Sequence, residues 1–293
     1  MLSEIFSIVF FPGLLSAIII GLLYEGIGRK ITARMQHRRG PPIYQPFFDW
    51  IKTMTKENVT PNAGNSFLMT LCPIVSFAAA VSAIAFVPVA GFNAIGFEGN
   101  VFVFLYFLLI SVAFIAIAGF ATGSPFGVIG SMREVIQIIS YELPFIISVI
   151  TLGFLSSFQI SAMNVFYLPF TVFGFFAGIL GKLGFPPFHI PEAEQEIVEG
   201  PMTEYTGPRL GMFQLSHAAL LWVLISSASV MIFGGGNIIE FFIKSLLILI
   251  VLMFVKNVFS RAKINQAFKF YWLVVVPLVI IDLVRVLTGF MVS

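Results

Sequence analysis

The chain has 293 residues, of which 58% are hydrophobic and 10% charged, and its formal net charge is +2. Soluble domains carry roughly a quarter charged residues, so this composition, with a mean hydropathy of +1.00, predicts an integral protein of the lipid bilayer. The single cysteine, Cys72, excludes an intrachain disulfide and a cysteine-ligated cluster supplied by this chain alone. There is no nucleotide-binding glycine motif, no reason to expect nucleic acid, and no histidine grouping that predicts a metal site.

Apolar segments of about twenty residues, the length that crosses a bilayer, recur along the chain. We identify eight, at residues 6–24, 67–89, 101–121, 135–155, 165–180, 213–233, 238–255 and 270–290. No small-residue cleavage site ends the first, so we interpret it as a retained span and not as a signal peptide. The sequence therefore predicts an all-α integral membrane protein with about eight transmembrane helices in one polytopic domain over residues 1–293.

Lysine and arginine are distributed unevenly between the loops. They occur in the loops at about 25–66, 122–134, 181–212 and 256–269, which lie on one side of an eight-span chain, and are absent from 90–100, 156–164 and 234–237. Cytoplasmic loops of membrane proteins are enriched in these residues. We therefore expect a multi-pass protein of the plasma membrane, with the four basic loops in the cytoplasm and the N-terminus outside.

The first basic loop contains a short amphipathic pattern. Phe47, Trp50, Ile51 and Met54 share one helical face, and the opposite face holds Asp49, Lys52, Thr53 and Lys56. The pattern predicts a helix lying in the membrane interface. It is equally compatible with a short helix packed on a partner.

Five of the fourteen acidic residues fall between positions 192 and 204: Glu192, Glu194, Glu196, Glu199 and Glu204. Pro191 can begin a helix, on which Glu192, Glu196 and Glu199 would share one face. A solvated loop is the ordinary interpretation of a charge run. Here the closely spaced like charges would repel, so we expect some of them to hold protons or to face cations. Such a cluster is suited to passing protons.

Ionisable residues inside apolar spans are costly and are functional candidates by default. Glu142 lies in the fourth span beside Pro144, which removes a backbone hydrogen bond and can open the helix to water. A buried glutamate with a raised pKa can exchange protons near neutral pH. The pattern favours a transfer role for Glu142 over a structural hydrogen bond.

Three other spans carry such residues. Glu240 and Lys244 are four residues apart, and Asp282 and Arg285 are three apart, so each pair can satisfy itself. We interpret Asp282–Arg285 in that way and keep Lys244 as a candidate for ion translocation as well. His217 begins the sixth span, where it either packs or exchanges protons with the acidic loop.

Three motifs together resemble one known family, the quinone-site membrane subunit of respiratory complex I. FHIPEAE at 188–194, followed by TEY at 203–205, resembles its signature loop. Arg133 followed by Gln137, Ser140, Tyr141 and Glu142 resembles the second motif, and ARMQHRRGP at 33–41 the third. Arg261 and Pro277 also match, and the resemblance covers essentially the whole chain.

The departures from that pattern point to one branch of the family. The chain continues GPPIYQPFFD at 40–49, and it has Glu134 and His217 where complex I usually has a small residue and a glutamate. This version is similar to the membrane-anchor subunit of energy-converting, membrane-bound NiFe hydrogenases and their sulfur-reducing relatives.

The resemblance implies a non-catalytic subunit that couples electron transfer in a peripheral arm to H⁺ or Na⁺ translocation. Iron–sulfur clusters, and in hydrogenases a NiFe centre, would belong to the arm, with no cofactor or metal bound by this chain, and antiporter-like subunits would be its membrane partners. Glu142 would be the intramembrane relay, and the loop carboxylates Glu192, Glu194, Glu196 and Glu204 would respond to the arm; Glu199 is added on helical spacing alone. The basic residues expected to dock the arm are Arg34, Arg38, Arg39, Arg133 and Arg209.

Three alternatives stay open. The chain could be the quinone-site subunit of an NADH- or ferredoxin-linked complex I, or a purely structural anchor. A stand-alone secondary transporter is disfavoured, because such proteins often contain repeated halves with broken helices and no internal repeat is visible here.

Overall fold

The computed structural model describes residues 10–90, 92, 100–155, 160, 168–192, 194–234 and 236–288. Within these ranges the chain is helical, with one isolated bridge between Val89 and Phe92 and no strand. The prediction of an all-α protein is confirmed. The α-helices are α1 (Leu14–Met35), α2 (Gln45–Met54), α3 (Ser66–Ile84), α4 (Asn100–Ala121), α5 (Pro125–Leu155), α6 (Pro169–Lys182), α7 (Glu194–Ile197), α8 (Gly207–Phe233), α9 (Ile238–Val258), α10 (Ile264–Phe270) and α11 (Val276–Leu287).

Six helical stretches in the described ranges are long and apolar enough to cross a membrane: α3, α4, α5, α8, α9 and the continuous run Ile264–Leu287. That run joins α10 to α11 through a π-helical segment, Tyr271–Val275. The other two predicted spans correspond to α1, whose second half is charged, and to α6, which has only 14 residues. Residues 6–9, 165–167 and 289–290 of the predicted spans lie outside the described residues. The count of eight stays a prediction.

The bundle is organised around α8, which packs against α1, α2, α3 and α9. Almost all of its membrane residues are buried, and many are serine or alanine, which permits close helix approach within a bilayer. At the contact with α1, a Cβ on Gly21 would lie only 2.8 Å from the carbonyl carbon of Ala218. The Ser76 and Ser216 hydroxyls, 2.7 Å apart, join α3 to α8.

The amphipathic helix is present as α2, but it packs on the protein's own bundle. Phe47, Trp50 and Met54 contact the hydrophobic core, and α2 lies against α8 and α1. The predicted faces are partly wrong: Ile51 is exposed and Thr53 is buried. Thr53 tolerates burial because its hydroxyl donates to the Asp49 carbonyl and so needs no water.

Candidate functional site

Glu142 and Lys182 form an ion pair between α5 and α6. The Lys182 ammonium donates to Glu142 Oε2 at 2.5 Å, and its side chain has no exposed surface. The ammonium also lies 5.3 Å from the centre of the Tyr141 ring and 5.0 Å from that of Phe145, which places it among π-faces that attract cations. Lys182, which the sequence places among the loop cations, is therefore a buried partner of the intramembrane glutamate.

One side of this pair is incompletely satisfied. Glu142 Oε1 has no hydrogen-bond partner among the described residues, and the same holds for the nearby Gln137 Oε1 and Tyr141 hydroxyl. Buried polar atoms are normally paired with protein or with ordered water. The three oxygens therefore mark a polar spot on α5 inside the membrane bundle.

A cavity of about 200 Å³ lies beside the pair. Its lining contains Lys182 and three further carboxylates from separate elements, namely Glu25 of α1, Glu134 of α5 and Glu192 of the acidic loop. Both His189 and His217 also line it. His189 donates from Nδ1 to the Gly184 carbonyl at 2.8 Å, so Nε2 is the ring nitrogen that can bond to another group.

A second cavity, of about 370 Å³, shares Glu25 and His217 with the first. It is lined by four cationic side chains: Arg29, Arg38, Arg39 and Lys256. Arg29 is paired with Glu25 at 2.6 Å and with Asp49 of α2 at 2.7 Å. The two cavities thus share Glu25 and His217, with carboxylates and Lys182 around the first and mostly cationic groups around the second.

Only part of the predicted acidic helix forms. The helix α7 covers Glu194–Ile197 and stops at Val198, whose φ is +61°, a value rare for a β-branched residue. Glu199 therefore does not continue the helical face of Glu196, and the prediction of one shared face for Glu192, Glu196 and Glu199 is wrong. Gly200 and Pro201 lie directly over Gly130 of α5, where a Cβ would overlap the loop backbone.

Glu196 lies between two arginines that come from distant parts of the sequence. Arg133 donates to one carboxylate oxygen at 2.5 Å and Arg261 to the other. The hydrogen bond from Arg133, together with the charges of both arginines, lowers the pKa of Glu196 below its ordinary value. Glu196 is thus an ionised tie that holds the loop to α5 and to the segment before α10.

The remaining predicted residues have different surroundings. Glu204 is half-buried, Glu199 is exposed, and the Glu194 side chain lies outside the described residues. Arg34, Arg38 and Arg39 are exposed at the end of α1. Arg209 reaches Ser66 at 3.3 Å, while its Nε and one terminal nitrogen have no partner in the described part of the chain.

Lys244 lies apart from the other candidates. It donates to the carbonyls of Phe233 at 3.1 Å and Gly234 at 3.2 Å, and it is 3.7 Å from Glu240. It therefore caps the end of α8 that is opposite to the acidic loop. Because α8 has 27 residues, about 40 Å of helix separate its two ends.

Asp282 and Arg285 form the predicted self-satisfied pair at 3.2 Å. Asp282 is fully buried, and its Oδ2 also accepts from the backbone N–H of Thr171 at 2.8 Å and from its hydroxyl at 3.1 Å. Thr171 is in the first turn of α6, so the carboxylate stabilises that helix N-terminus.

Sequence reasoning missed several site residues. It places Lys182 in a loop, although this lysine follows a glycine-rich apolar run without interruption. Glu25 and Arg29 carry a usable signal, since they are four residues apart on a predicted helix. Glu134 is noted in the sequence only as a departure from the complex I pattern, and Lys256 only as a loop cation, because their place beside the cavities depends on helix packing. Within the described ranges, no group of three or more potential metal ligands occurs.

The fold and the site define a class: a polytopic membrane protein that holds ionisable groups between its helices. A family model described as NADH dehydrogenase matches residues 7–287, and the chain belongs to this family. The resemblance inferred from the three motifs is thereby confirmed.

Similar proteins include three curated relatives. The H-type subunit of NADH-quinone oxidoreductase from Dehalococcoides mccartyi is 30% identical, over 90% of this chain and 80% of the relative. The corresponding subunit from Helicobacter pylori is 31% identical, over 90% of both chains. NADH-ubiquinone oxidoreductase chain 1 of Cyanidium caldarium is 33% identical, over 86% of this chain and 82% of the relative.

Among solved structures, the chain is similar to one from the membrane-bound sulfane sulfur reductase, described as an archaeal respiratory membrane complex. The TM-score is 0.85 with 26% sequence identity, and the match covers 93% of this chain and 96% of the other. The two kinds of relative agree with the mixed motif pattern, which combines complex I signatures with departures towards the hydrogenase and sulfur-reducing branch.

Proposed function

We propose that this chain is a membrane subunit of a complex I-like respiratory complex and that it couples electron transfer in a peripheral arm to ion translocation. The observation that supports this most directly is the Glu142–Lys182 pair beside a cavity whose lining also contains Glu25, Glu134 and Glu192. Ionisable groups inside a membrane protein mark ion or proton pathways. The relatives are named as subunits of respiratory oxidoreductases or come from such a complex.

The proposed mechanism uses the acidic loop as the moving element. Arm docking would occur on the cytoplasmic side, at the exposed Arg34, Arg38 and Arg39 and around Arg133 and Arg209. A change at the arm would shift the loop that carries Glu192, and so change the field at Lys182. Glu142 would then exchange a proton with the cavity and with the neighbouring membrane subunits, which we expect to be antiporter-like. Iron–sulfur clusters, and a NiFe centre in a hydrogenase, would belong to the arm.

The electron acceptor separates two versions of this proposal. The curated relatives are named for quinone reduction, whereas the similar structure belongs to a sulfane sulfur reductase. The cavity of about 370 Å³ combines cationic side chains with the apolar Phe185, Leu221 and Met253, so its lining alone does not separate the two acceptors. The departures at Glu134 and His217 match the hydrogenase and sulfur-reducing branch. We therefore favour the hydrogenase or sulfur-reducing branch, and quinone-dependent activity blocked by quinone-site inhibitors would reverse that choice.

The coupling role is tested by Glu142→Gln in the intact complex reconstituted into vesicles. Ions moved per electron transferred should fall to the background level, while electron transfer by the arm persists in complexes that have assembled. Glu57→Gln is the matched control, because it removes an exposed glutamate that lines neither cavity. A wild-type ratio in assembled Glu142→Gln complexes would rule out the relay assignment.

A further inference from the structure

An apolar groove lies on the same side of the molecule as the acidic loop, and it shares no lining residue with the two cavities that contain Glu25 and His217. It has a volume of about 640 Å³, within the range of about 300–1,000 Å³ that is typical of ligand sites. Its walls come from α6, the loop after it, the end of α9, and α10. Eleven of its twelve lining residues are apolar or aromatic, and Gln266 is the exception.

Aromatic contacts fix the shape of the groove. The Phe270 ring lies 5.7 Å from that of Phe188 and 6.3 Å from that of Phe173. Phe188 and Ala267 are buried and form the floor, whereas Phe173 and Phe259 are 44% and 57% exposed at the rim. Two walls of the groove, α9 and the run that begins with α10, belong to stretches long and apolar enough to cross a membrane, so an apolar groove between them can take an acyl chain of the bilayer.

The groove adjoins a charged cavity. This cavity, of about 440 Å³, shares Ala262 with the groove, and its lining includes Arg133, Glu196, Arg261 and Lys263. The shared boundary is fixed, because the backbone N–H of Ala262 donates to the Pro187 carbonyl at 2.9 Å.

The charged cavity has an excess of positive charge. Its three cations face one carboxylate, and Glu196 is already bonded to both arginines. Lys263 is exposed and makes no ion pair within the part of the chain that the structure describes. Basic pockets at the cytoplasmic ends of transmembrane helices bind the head groups of anionic lipids.

We propose that the groove and the charged cavity form a binding site for one anionic phospholipid, with an acyl chain in the groove and the phosphate at Lys263 and Arg261. The charge decides the occupant, since a neutral lipid would fill the groove but leave the Lys263 ammonium without an anionic partner, and Glu196 cannot balance all three cations. Because Arg261 also bonds Glu196, a bound phosphate would lie next to the tie that holds the acidic loop.

The experiment is native mass spectrometry of the purified, delipidated complex, titrated with phosphatidylglycerol or with phosphatidylcholine of the same acyl chains. Phosphatidylglycerol should bind at least about fivefold more tightly, and Lys263→Gln should weaken it about fivefold without changing phosphatidylcholine binding. Ala262→Phe, which places a bulky ring where the groove and the charged cavity adjoin, should weaken the binding of both lipids. Lys269→Gln is the control, because this exposed lysine lies on α10 and lines neither of them.

Three results would overturn the proposal. Equal affinity for the two lipids would show that the cations of the charged cavity do not select the lipid. Displacement of phosphatidylglycerol by millimolar inorganic phosphate would indicate a soluble anion site. Failure of the intact complex to bind either lipid would show that a partner subunit covers the groove.

Discussion

Two carboxylates inside the transmembrane helices, Glu142 and Asp282, have opposite surroundings. Asp282 is fully buried, and both of its oxygens accept hydrogen bonds, from Thr171 and from Arg285. Glu142 is also buried, but only Oε2 is bonded, to Lys182, and Oε1 has no described partner. A carboxylate with both oxygens bonded stabilises the fold. A carboxylate with one unbonded oxygen next to a polar cavity can also bond to water or to another polar group in that cavity.

The largest expected effect comes from Glu142→Gln. It would leave the Lys182 ammonium buried among Tyr141 and Phe145 without a counter-ion, and breaking a buried pair in this way costs about 3–5 kcal/mol. The double variant Glu142→Gln/Lys182→Met should recover most of that loss. Heating the detergent-solubilised complex and measuring the fraction that stays assembled would test both. If Glu142→Gln were as stable as the wild type, the Lys182 ammonium would have another counter-ion and the buried pair would not be needed for stability.

Asp282→Ala should lower stability by about 2 kcal/mol, because α6 loses its N-terminal cap and Arg285 its partner. Ions moved per electron should stay at the wild-type value in the surviving complexes. Asp282→Asn, which keeps one acceptor for Thr171, is the matched control and should lose less. A lower ion-to-electron ratio in both variants would show that Asp282, like Glu142, takes part in ion translocation.

Lys244→Met tests a second ionisable residue, at the C-terminal end of α8, for a structural role like that of Asp282. The lysine donates to two terminal carbonyls, so its loss should cost about 0.5–1 kcal/mol and leave coupling unchanged. The same heating and vesicle assays apply. If Lys244→Met lowered the number of ions moved per electron as much as Glu142→Gln is expected to, Lys244 would belong to the translocation path. That is the role for which its position in the span makes it a candidate.

Glu196→Gln should act locally, by freeing the acidic loop from Arg133 and Arg261. Hydrogen exchange at residues 194–204 should rise while the bundle stays protected. The pKa of Glu196 is lowered in the folded protein, so the tie is present above the ordinary pKa of a glutamate, about 4.3. It is lost as the pH falls through the still lower folded value. The wild-type loop should therefore keep its protection from pH 8 to pH 5, and loss of protection at pH 6 would contradict the ionised tie.

The sequence is enough for the class and for most helices. Long apolar runs predict α3, α4, α5, α8 and α9, because a bilayer requires that length. The motif resemblance also identifies the family, and the position of Glu142 inside an apolar span marks it as a candidate whose role stays a prediction. The length of the acidic helix is overestimated, although Gly200 and Pro201 already signal a turn.

Partners distant in sequence could not be predicted. Lys182 lies 40 residues from Glu142, and Arg261 lies 65 residues from Glu196. Each pair depends on which faces of separate helices meet, and periodicity in a single sequence does not define that. The role of Asp282 as a cap for α6 is missed for the same reason, since its neighbour in sequence, Arg285, offers a sufficient explanation.

The most direct test of the coupling role is the ion-to-electron ratio of the double variant Glu142→Gln/Lys182→Met in vesicles. This variant removes both buried charges together, so its packing should survive and the effect of charge can be measured by itself. We predict normal electron transfer with ion movement at the background level. A wild-type ratio in the assembled double variant would show that the pair is structural, as Asp282 is.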